Sequence, residues 1–136
     1  GILEILQQLH EFGIVQFHNN NREISICNDH LVVQMMKTFS AVCDLDGIVS
    51  LVQPLSTKGV LYGSRATGKA RTDSNYNLLV LSDSPEEVKK IVTRHPLGRR
   101  IELVVCEPDK YPDFERKNPG IAQAVDSGIV MWGSSW

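Results

Sequence analysis

The chain has 136 residues, enough for one ordinary domain or for a small domain with an appendage. Hydrophobic residues make up 42% and charged residues 22%, which is close to the average for folded proteins and argues against a disordered chain. The net charge of −2 by itself neither favours nor excludes binding to nucleic acid.

The first third of the chain is predicted to contain a helix, a β-hairpin and a second helix. Apolar residues share one helical face over residues 2–12, and Gly13 is a suitable helix end. Residues 14–17 and 23–27 have strand character on either side of three asparagines at 19–21, which favour a turn. Asn28 or Asp29 is predicted to cap the next helix. That helix repeats apolar residues at three- and four-residue spacing, which predicts a core-facing stripe: Leu31, Val32, Met35, Met36, Phe39 and Val42.

This order of elements resembles the end of a winged helix-turn-helix domain, with residues 2–12 as the recognition helix and the hairpin as the wing. The resemblance implies DNA binding. The alternative is a structural arm, or a dimerisation element of a homodimer. Residues 1–47 carry two basic and six acidic side chains, a net charge of −4. Because DNA affinity comes largely from cations at the phosphates, this charge disfavours DNA and favours the alternative.

The remainder alternates strands and helices after a break predicted at 44–47. Strands are predicted at 60–62, 78–81, 101–106 and 129–132. Helices are predicted at 48–55, at 85–94 with Ser84 as the N-cap of a capping box, and at 111–126 in two pieces broken at Pro119 and Gly120. The alternation predicts an α+β fold, a mixed sheet with flanking helices.

Residues 60–82 carry the strongest chemical signal. Gly63 and Ser64 follow a predicted strand, where glycine lets the backbone turn sharply and approach a ligand. The predicted helix start over 64–70 offers free N–H groups, and Arg65, Lys69 and Arg71 add positive charge, a combination that suits a phosphate group. Just before the next strand stand two asparagines two residues apart, Asn75 and Asn77. On an extended chain they point to one side, and Tyr76 between them to the other.

This segment resembles the minimal nucleotidyltransferases of the polymerase-beta-like superfamily. The signature of that family is Gly-Ser, a small helix containing Ala and Gly, and Ser-Asp-x-Asp before an apolar strand. The chain matches the signature at Gly63, Ser64, Arg65, Ala66, Gly68, Ser74, Leu78 and Val80. The resemblance covers about residues 46–136 and ends on the predicted strand at 129–132. It divides the chain into a partial winged-helix segment with a linker helix, 1–45, and a nucleotidyltransferase-like domain, 46–136.

The resemblance implies Mg²⁺-dependent transfer of a nucleotide from a nucleoside triphosphate, with ATP expected, to a protein, an RNA end or a small molecule. In this chain the phosphates would be held by Gly63, Ser64, Arg65 and Lys69.

The metal-binding aspartates of the family fall on Asn75 and Asn77, and its third carboxylate, a metal ligand or general base, falls on Glu102. Mg²⁺ prefers charged oxygens and dehydrates reluctantly. Two amides at these catalytic positions therefore predict impaired metal binding and impaired turnover. Asparagine at both positions fits a natural pseudoenzyme, and it equally fits substitutions that disable an enzyme.

Two hypotheses of different class therefore stand: an impaired nucleotidyltransferase, and a non-catalytic nucleotide-sensing or DNA-binding regulator module. The sequence alone leaves open whether the chain is an enzyme. Three cysteines without a Cys-x-x-Cys pair predict reduced thiols and a cytoplasmic protein: Cys27, Cys43 and Cys106. No apolar run approaches the ~18 residues of a membrane span, and no basic residue precedes the first apolar stretch, so neither a membrane partner nor a secretory signal is expected.

Overall fold

A computed structural model describes residues 2–11, 13, 15–18, 23–26 and 30–134. Its first elements are helix α1 (Ile2–Glu11) and an antiparallel hairpin of strands β1 (Val15–His18) and β2 (Glu23–Ile26). The Gly13 N–H donates to the His10 carbonyl at 2.9 Å with a φ of +75°, a conformation that suits glycine at a helix end. The predicted helix and hairpin are confirmed, and the turn predicted at 19–21 lies outside the described residues.

Helix α2 (Leu31–Asp44) begins later than its predicted cap. The His30 side chain caps it, because Nδ1 accepts a hydrogen bond from the Val32 N–H at 3.1 Å. The prediction of Asn28 or Asp29 as the cap is therefore wrong; both residues lie outside the described part of the chain. An imidazole nitrogen that accepts from the amide two residues later serves the same purpose as the expected side-chain oxygen.

Helix α2 also presents a different face to the core from the predicted one. Ala41 and Val33 are buried, whereas Phe39 is 72% exposed. The predicted stripe is wrong at five positions, all of them exposed: Leu31, Val32, Met35, Met36 and Phe39. Val42 alone of that stripe is packed against the core. The inward face carries smaller side chains, and on α2 Thr38 Oγ1 donates a hydrogen bond to the Ala66 carbonyl at 3.1 Å.

The sheet has four strands in the order β5-β4-β3-β6. Strands β4 and β5 are parallel, and the other two pairs are antiparallel. This confirms the predicted α+β class and the mixed sheet with flanking helices. The strands are β3 (Lys58–Tyr62), β4 (Tyr76–Leu81), β5 (Ile101–Cys106) and β6 (Ile129–Trp132). The helices after α2 are α3 (Asp46–Val52), α4 (Ser64–Thr67), α5 (Pro85–Arg94), α6 (Tyr111–Lys117) and α7 (Pro119–Asp126).

Helices cover both faces of the sheet, and β4 shows the alternation clearly. Leu78 and Val80 belong to a core shared with Ala41 of α2, the residues of α3 and those of α5. Leu79 and Leu81 belong to a second core with Tyr111 of α6 and with α7. Successive side chains of a strand point to opposite faces, so Tyr76 lies on the α2 face and Asn77 on the α6–α7 face.

Several predicted boundaries shift by a few residues. The helix predicted at 64–70 is a single turn that ends at Gly68, where φ is +75°. The break expected at Pro119 and Gly120 falls at Asn118, because a proline is accepted at the first position of a helix. Ser84 does precede α5, but its side chain makes no capping hydrogen bond. Within the described chain, no helix is both long enough and apolar enough to cross a membrane.

Candidate functional site

Gly63 ends β3 in a backbone conformation that essentially only glycine adopts without strain. Its φ is +79° and its ψ is −156°. A Cβ added at this position would lie 2.6 Å from Asn77 Nδ2. The absence of a side chain therefore allows the turn after β3 to pass directly against the Asn77 amide. Ser64 follows as the first residue of α4 and is half-buried.

The parallel pairing of β4 and β5 brings the predicted carboxylate positions together. Asn77 pairs with Glu102 in the strand register, and Tyr62 pairs with Asn77 on the other side. Asn75, just before β4, donates a hydrogen bond from Nδ2 to Glu102 Oε1 at 3.0 Å. We call Gly63, Asn75, Asn77 and Glu102 the asparagine site. The four residues span 39 positions of the sequence, from 63 to 102, and in the structure they meet at one end of the sheet.

Tyr62 lies beside the asparagine site, at the end of β3. Its ring is buried, and burial raises the pKa of the phenol, with the negative charge of Glu102 raising it further. The phenol is therefore neutral over the physiological pH range. Of the side chains that meet here, Glu102 is the one that provides a carboxyl group.

Arg65 holds the loop before Asn75. Its guanidinium donates from Nη2 and Nε to the Ser74 carbonyl at 2.8 and 3.3 Å, and its Cζ lies 4.4 Å from the centre of the Tyr76 ring. The sequence predicted a phosphate contact for Arg65. The contacts observed are with the protein's own backbone and with an aromatic ring.

Tyr76 and Arg100 complete this arrangement. The Tyr76 hydroxyl donates to Asp44 Oδ2 at 2.6 Å, and burial followed by this hydrogen bond raises the pKa of the phenol. Arg100 lies 5.5 Å from the same ring and donates to the carbonyls of Thr72 and Ser74. The prediction that Tyr76 faces away from the two asparagines is confirmed. The roles of Arg100 and Asp44 were not predicted, because both depend on contacts between residues at least 26 apart in sequence.

Lys69 lies in a cavity of about 720 Å³ between α2 and the loop after α4. We call it the basic cavity, and it is lined by Lys37, Ser40, Arg65, Lys69, Ala70, Arg71 and Thr72. The sequence grouped Lys69 with Gly63 and Ser64. In the structure Lys69 is grouped with Lys37 of α2, a residue that sequence spacing could not connect to it.

The donor set of the asparagine site does not fit a pair of magnesium ions. It provides two neutral amides and one carboxylate, and one oxygen of that carboxylate already accepts a hydrogen bond from Asn75. Magnesium sites use carboxylate oxygens to balance the charge of the cation. Over the described ranges, no group of three or more His, Cys, Asp and Glu side chains could hold a metal ion.

No protein-family model matches the chain, and the curated proteins include no match to it. The nucleotidyltransferase resemblance therefore rests on the sequence motif of residues 63–80.

Proposed function

We propose that residues 46–136 form a nucleotide-binding domain of the nucleotidyltransferase type in which metal-dependent transfer is impaired. The observation that carries the proposal is the hydrogen bond from Asn75 to Glu102, beside the turn at Gly63. The resemblance implies carboxylates at positions 75, 77 and 102. In this chain the Asn75 amide donates a hydrogen bond to the Glu102 carboxylate. The carboxylate that the resemblance implies as a metal ligand therefore already has a partner within the protein.

The same substitutions change what the site offers to a phosphate chain. Two aspartates would repel a triphosphate unless metal ions stood between them, whereas asparagine is neutral and its NH₂ group donates hydrogen bonds. Ser64 adds a hydroxyl, and the backbone at Gly63 is free of a side chain. The proposed ligand is therefore a nucleoside triphosphate, with ATP expected, and its binding depends little on Mg²⁺.

Calorimetric titration of ATP, in Mg²⁺ and in EDTA, tests this proposal on the chain and on an Asn75→Asp/Asn77→Asp variant. We expect Mg²⁺ to change the Kd of the unsubstituted chain by less than about threefold, and to tighten binding to the variant by at least about tenfold. The control is Asn118→Asp, which makes the same amide-to-carboxylate change at a residue between α6 and α7 that is not part of the asparagine site.

Transfer of label from α-labelled ATP provides a second measurement on the same proteins. A variant that neither binds Mg-ATP more tightly nor transfers label would contradict the nucleotidyltransferase assignment. An unsubstituted chain that binds no ATP under either condition would contradict nucleotide binding itself.

A DNA-binding regulator is the second candidate, and the order of α1 followed by the β1–β2 hairpin favours it. The net charge of −4 over residues 1–47 opposes it. Binding of the complete protein to duplex DNA, measured at low and at physiological salt, tests the DNA-binding regulator. The absence of binding at both salt concentrations would eliminate the regulator.

A further inference from the structure

The basic cavity is a second place where ligand-binding side chains converge. Four of its seven lining residues are cations, in a chain whose net charge is −2. They are contributed by α2 and by the segment from α4 to the loop beyond it: Lys37, Arg65, Lys69 and Arg71. No carboxylate is among the described residues that line the cavity. Among the described lining residues, positive charge is therefore concentrated and unopposed by a carboxylate.

The basic cavity and the asparagine site lie on different sides of β4. Arg65, which lines the cavity, lies over the Tyr76 ring, and Tyr76 donates to Asp44 of α2. Gly63 and Glu102 instead adjoin Asn77, whose side chain points to the opposite face. A ligand in the cavity would therefore lie on the opposite face of β4 from the Asn77 side chain.

Contacts within the protein hold the walls of the basic cavity in place. Lys37 Nζ donates to the Ala70 carbonyl at 3.4 Å, and the Arg71 N–H donates to Ser74 Oγ at 2.9 Å. Gly68 lies so close to the backbone of α2 that a Cβ there would collide with the Gln34 carbonyl. The loop is thus fastened to α2, and the cavity does not depend on a ligand for its shape.

The arginine and lysine side chains that line the cavity indicate a phosphate-bearing ligand. Arg and Lys together are the usual partners of phosphate groups. The lining residues that the structure describes include no aromatic side chain on which a base could stack, so the cavity would recognise its ligand by charge. A volume of about 720 Å³ is larger than one phosphate needs and lies within the range of small-ligand sites.

We propose that the basic cavity binds a di- or triphosphate group, at a site separate from the asparagine site. The phosphate chain comes either from a free inorganic polyphosphate or from a nucleotide. The four cations neutralise it directly, so no divalent ion is required. Arg65 and Lys69 thereby move from the phosphates expected beside Gly63 and Ser64 to this cavity. Binding here does not require ATP to bind at the asparagine site.

The test is calorimetric titration of inorganic tripolyphosphate in EDTA, on the chain and on Lys69→Gln/Arg71→Gln. We expect saturable binding that weakens by at least about tenfold in the variant, because two charge-assisted contacts are lost. The matched control is Lys89→Gln/Lys90→Gln, which removes the same charge from exposed positions of α5 and should leave the Kd unchanged. Urea unfolding of each variant checks that the fold is retained.

Four outcomes would overturn the inference. The first two are the absence of saturable tripolyphosphate binding below about 1 mM and an equal loss of affinity in both double variants. The other two are loss of tripolyphosphate binding in Asn77→Ala and displacement of tripolyphosphate by a single-stranded RNA that binds much more tightly. Loss in Asn77→Ala would place both ligands in the asparagine site and leave the proposed function standing. Titration of ATP into the chain saturated with tripolyphosphate distinguishes the two phosphate sources. A nucleotide that occupies the cavity will bind this saturated chain more weakly than it binds the free chain.

Discussion

At the residue scale, the sequence motif identifies Asn75, Asn77 and Glu102, but it does not identify the residues that contact the loop before Asn75. Asn75, Asn77 and Glu102 lie together in the structure, because the parallel pairing of β4 with β5 places Asn77 opposite Glu102. Arg65 was assigned to phosphate because it follows Gly63 and Ser64. Its observed partners, the carbonyls before Asn75, are set by the fold of a loop that has no periodic pattern to reveal it.

Replacing Gly63 with alanine tests the strain argument at the asparagine site. The new Cβ would face Asn77 Nδ2 in a conformation that disfavours any side chain, so we expect the free energy of unfolding to fall by about 1–3 kcal/mol. The matched control is Gly120→Ala in α7, where no atom lies within 4 Å of the added Cβ and stability should rise by up to about 1 kcal/mol. Urea unfolding measures both, and equal effects at the two positions would contradict the argument.

Tyr111 gives the chain a pH dependence in the alkaline range. Burial, followed by the charges of Glu115 and Asp126, raises the pKa of its phenol to about 12. An acid with a raised pKa in the folded state stabilises the fold fully below its unfolded-state pKa, and the contribution is lost as the pH rises through the folded-state pKa.

We therefore expect stability to fall between about pH 10 and about pH 12, and a Tyr111→Phe variant to lose less over that interval. Urea unfolding across the alkaline range measures the difference. Tyr62→Phe is the comparison, because the pKa of Tyr62 is also raised by burial and its removal should flatten the profile in the same direction. An unchanged slope in Tyr111→Phe would show that its phenol does not resist ionisation.

At the element scale, helix α2 shows the limit of periodicity. The apolar repeat correctly predicts a helix, but apolar residues cover most of its circumference, so the repeat cannot say which side docks. The choice is made by small residues and backbone contacts: Thr38 reaches the Ala66 carbonyl, and Ala41 is 1% exposed. Elements with a single apolar face or with proline boundaries, such as α5, were predicted almost to the residue.

Two truncations compare the buried end of α2 with its exposed face. Leu45→Ala, at the fully buried residue after the helix, should lower the free energy of unfolding by about 2–5 kcal/mol. Phe39→Ala, on the exposed face, should change it by no more than about 0.5 kcal/mol. Chemical denaturation of the two variants provides the comparison. A large loss at Phe39 would mean that this face is covered.

At the scale of the whole molecule, stability is concentrated in the two inner strands. Strands β3 and β4 have a neighbour on each side, and each contributes fully buried side chains to both cores. They are Leu61, Leu78 and Val80 in one core, and Val60 and Leu79 in the other. Strands β5 and β6 form the edges, and Val130 of β6 is 37% exposed. The class and the strands could be predicted because apolar runs stand out locally. The strand order could not, because it depends on pairings between distant segments.

Hydrogen exchange tests this distribution. We expect the amides of β3 and β4, in particular Leu79 and Val80, to exchange slowest and to report the global unfolding free energy. Amides of β6 that face away from β3 should exchange faster, by local opening. Mass spectrometry of peptic fragments resolves the strands. Faster exchange in β4 than in β6 would contradict the sheet order.

The Asn75–Glu102 hydrogen bond has a consequence for how the chain meets its ionic surroundings. Three carboxylates at one end of a sheet repel each other, and a fold built on them gains stability from every divalent cation that binds it. An internal amide removes that linkage. We expect the melting temperature of this chain to be the same in EDTA and in Mg²⁺, and that of Asn75→Asp/Asn77→Asp to rise with Mg²⁺, as measured by thermal unfolding. We therefore expect this chain to be equally stable whether divalent ions are scarce or plentiful.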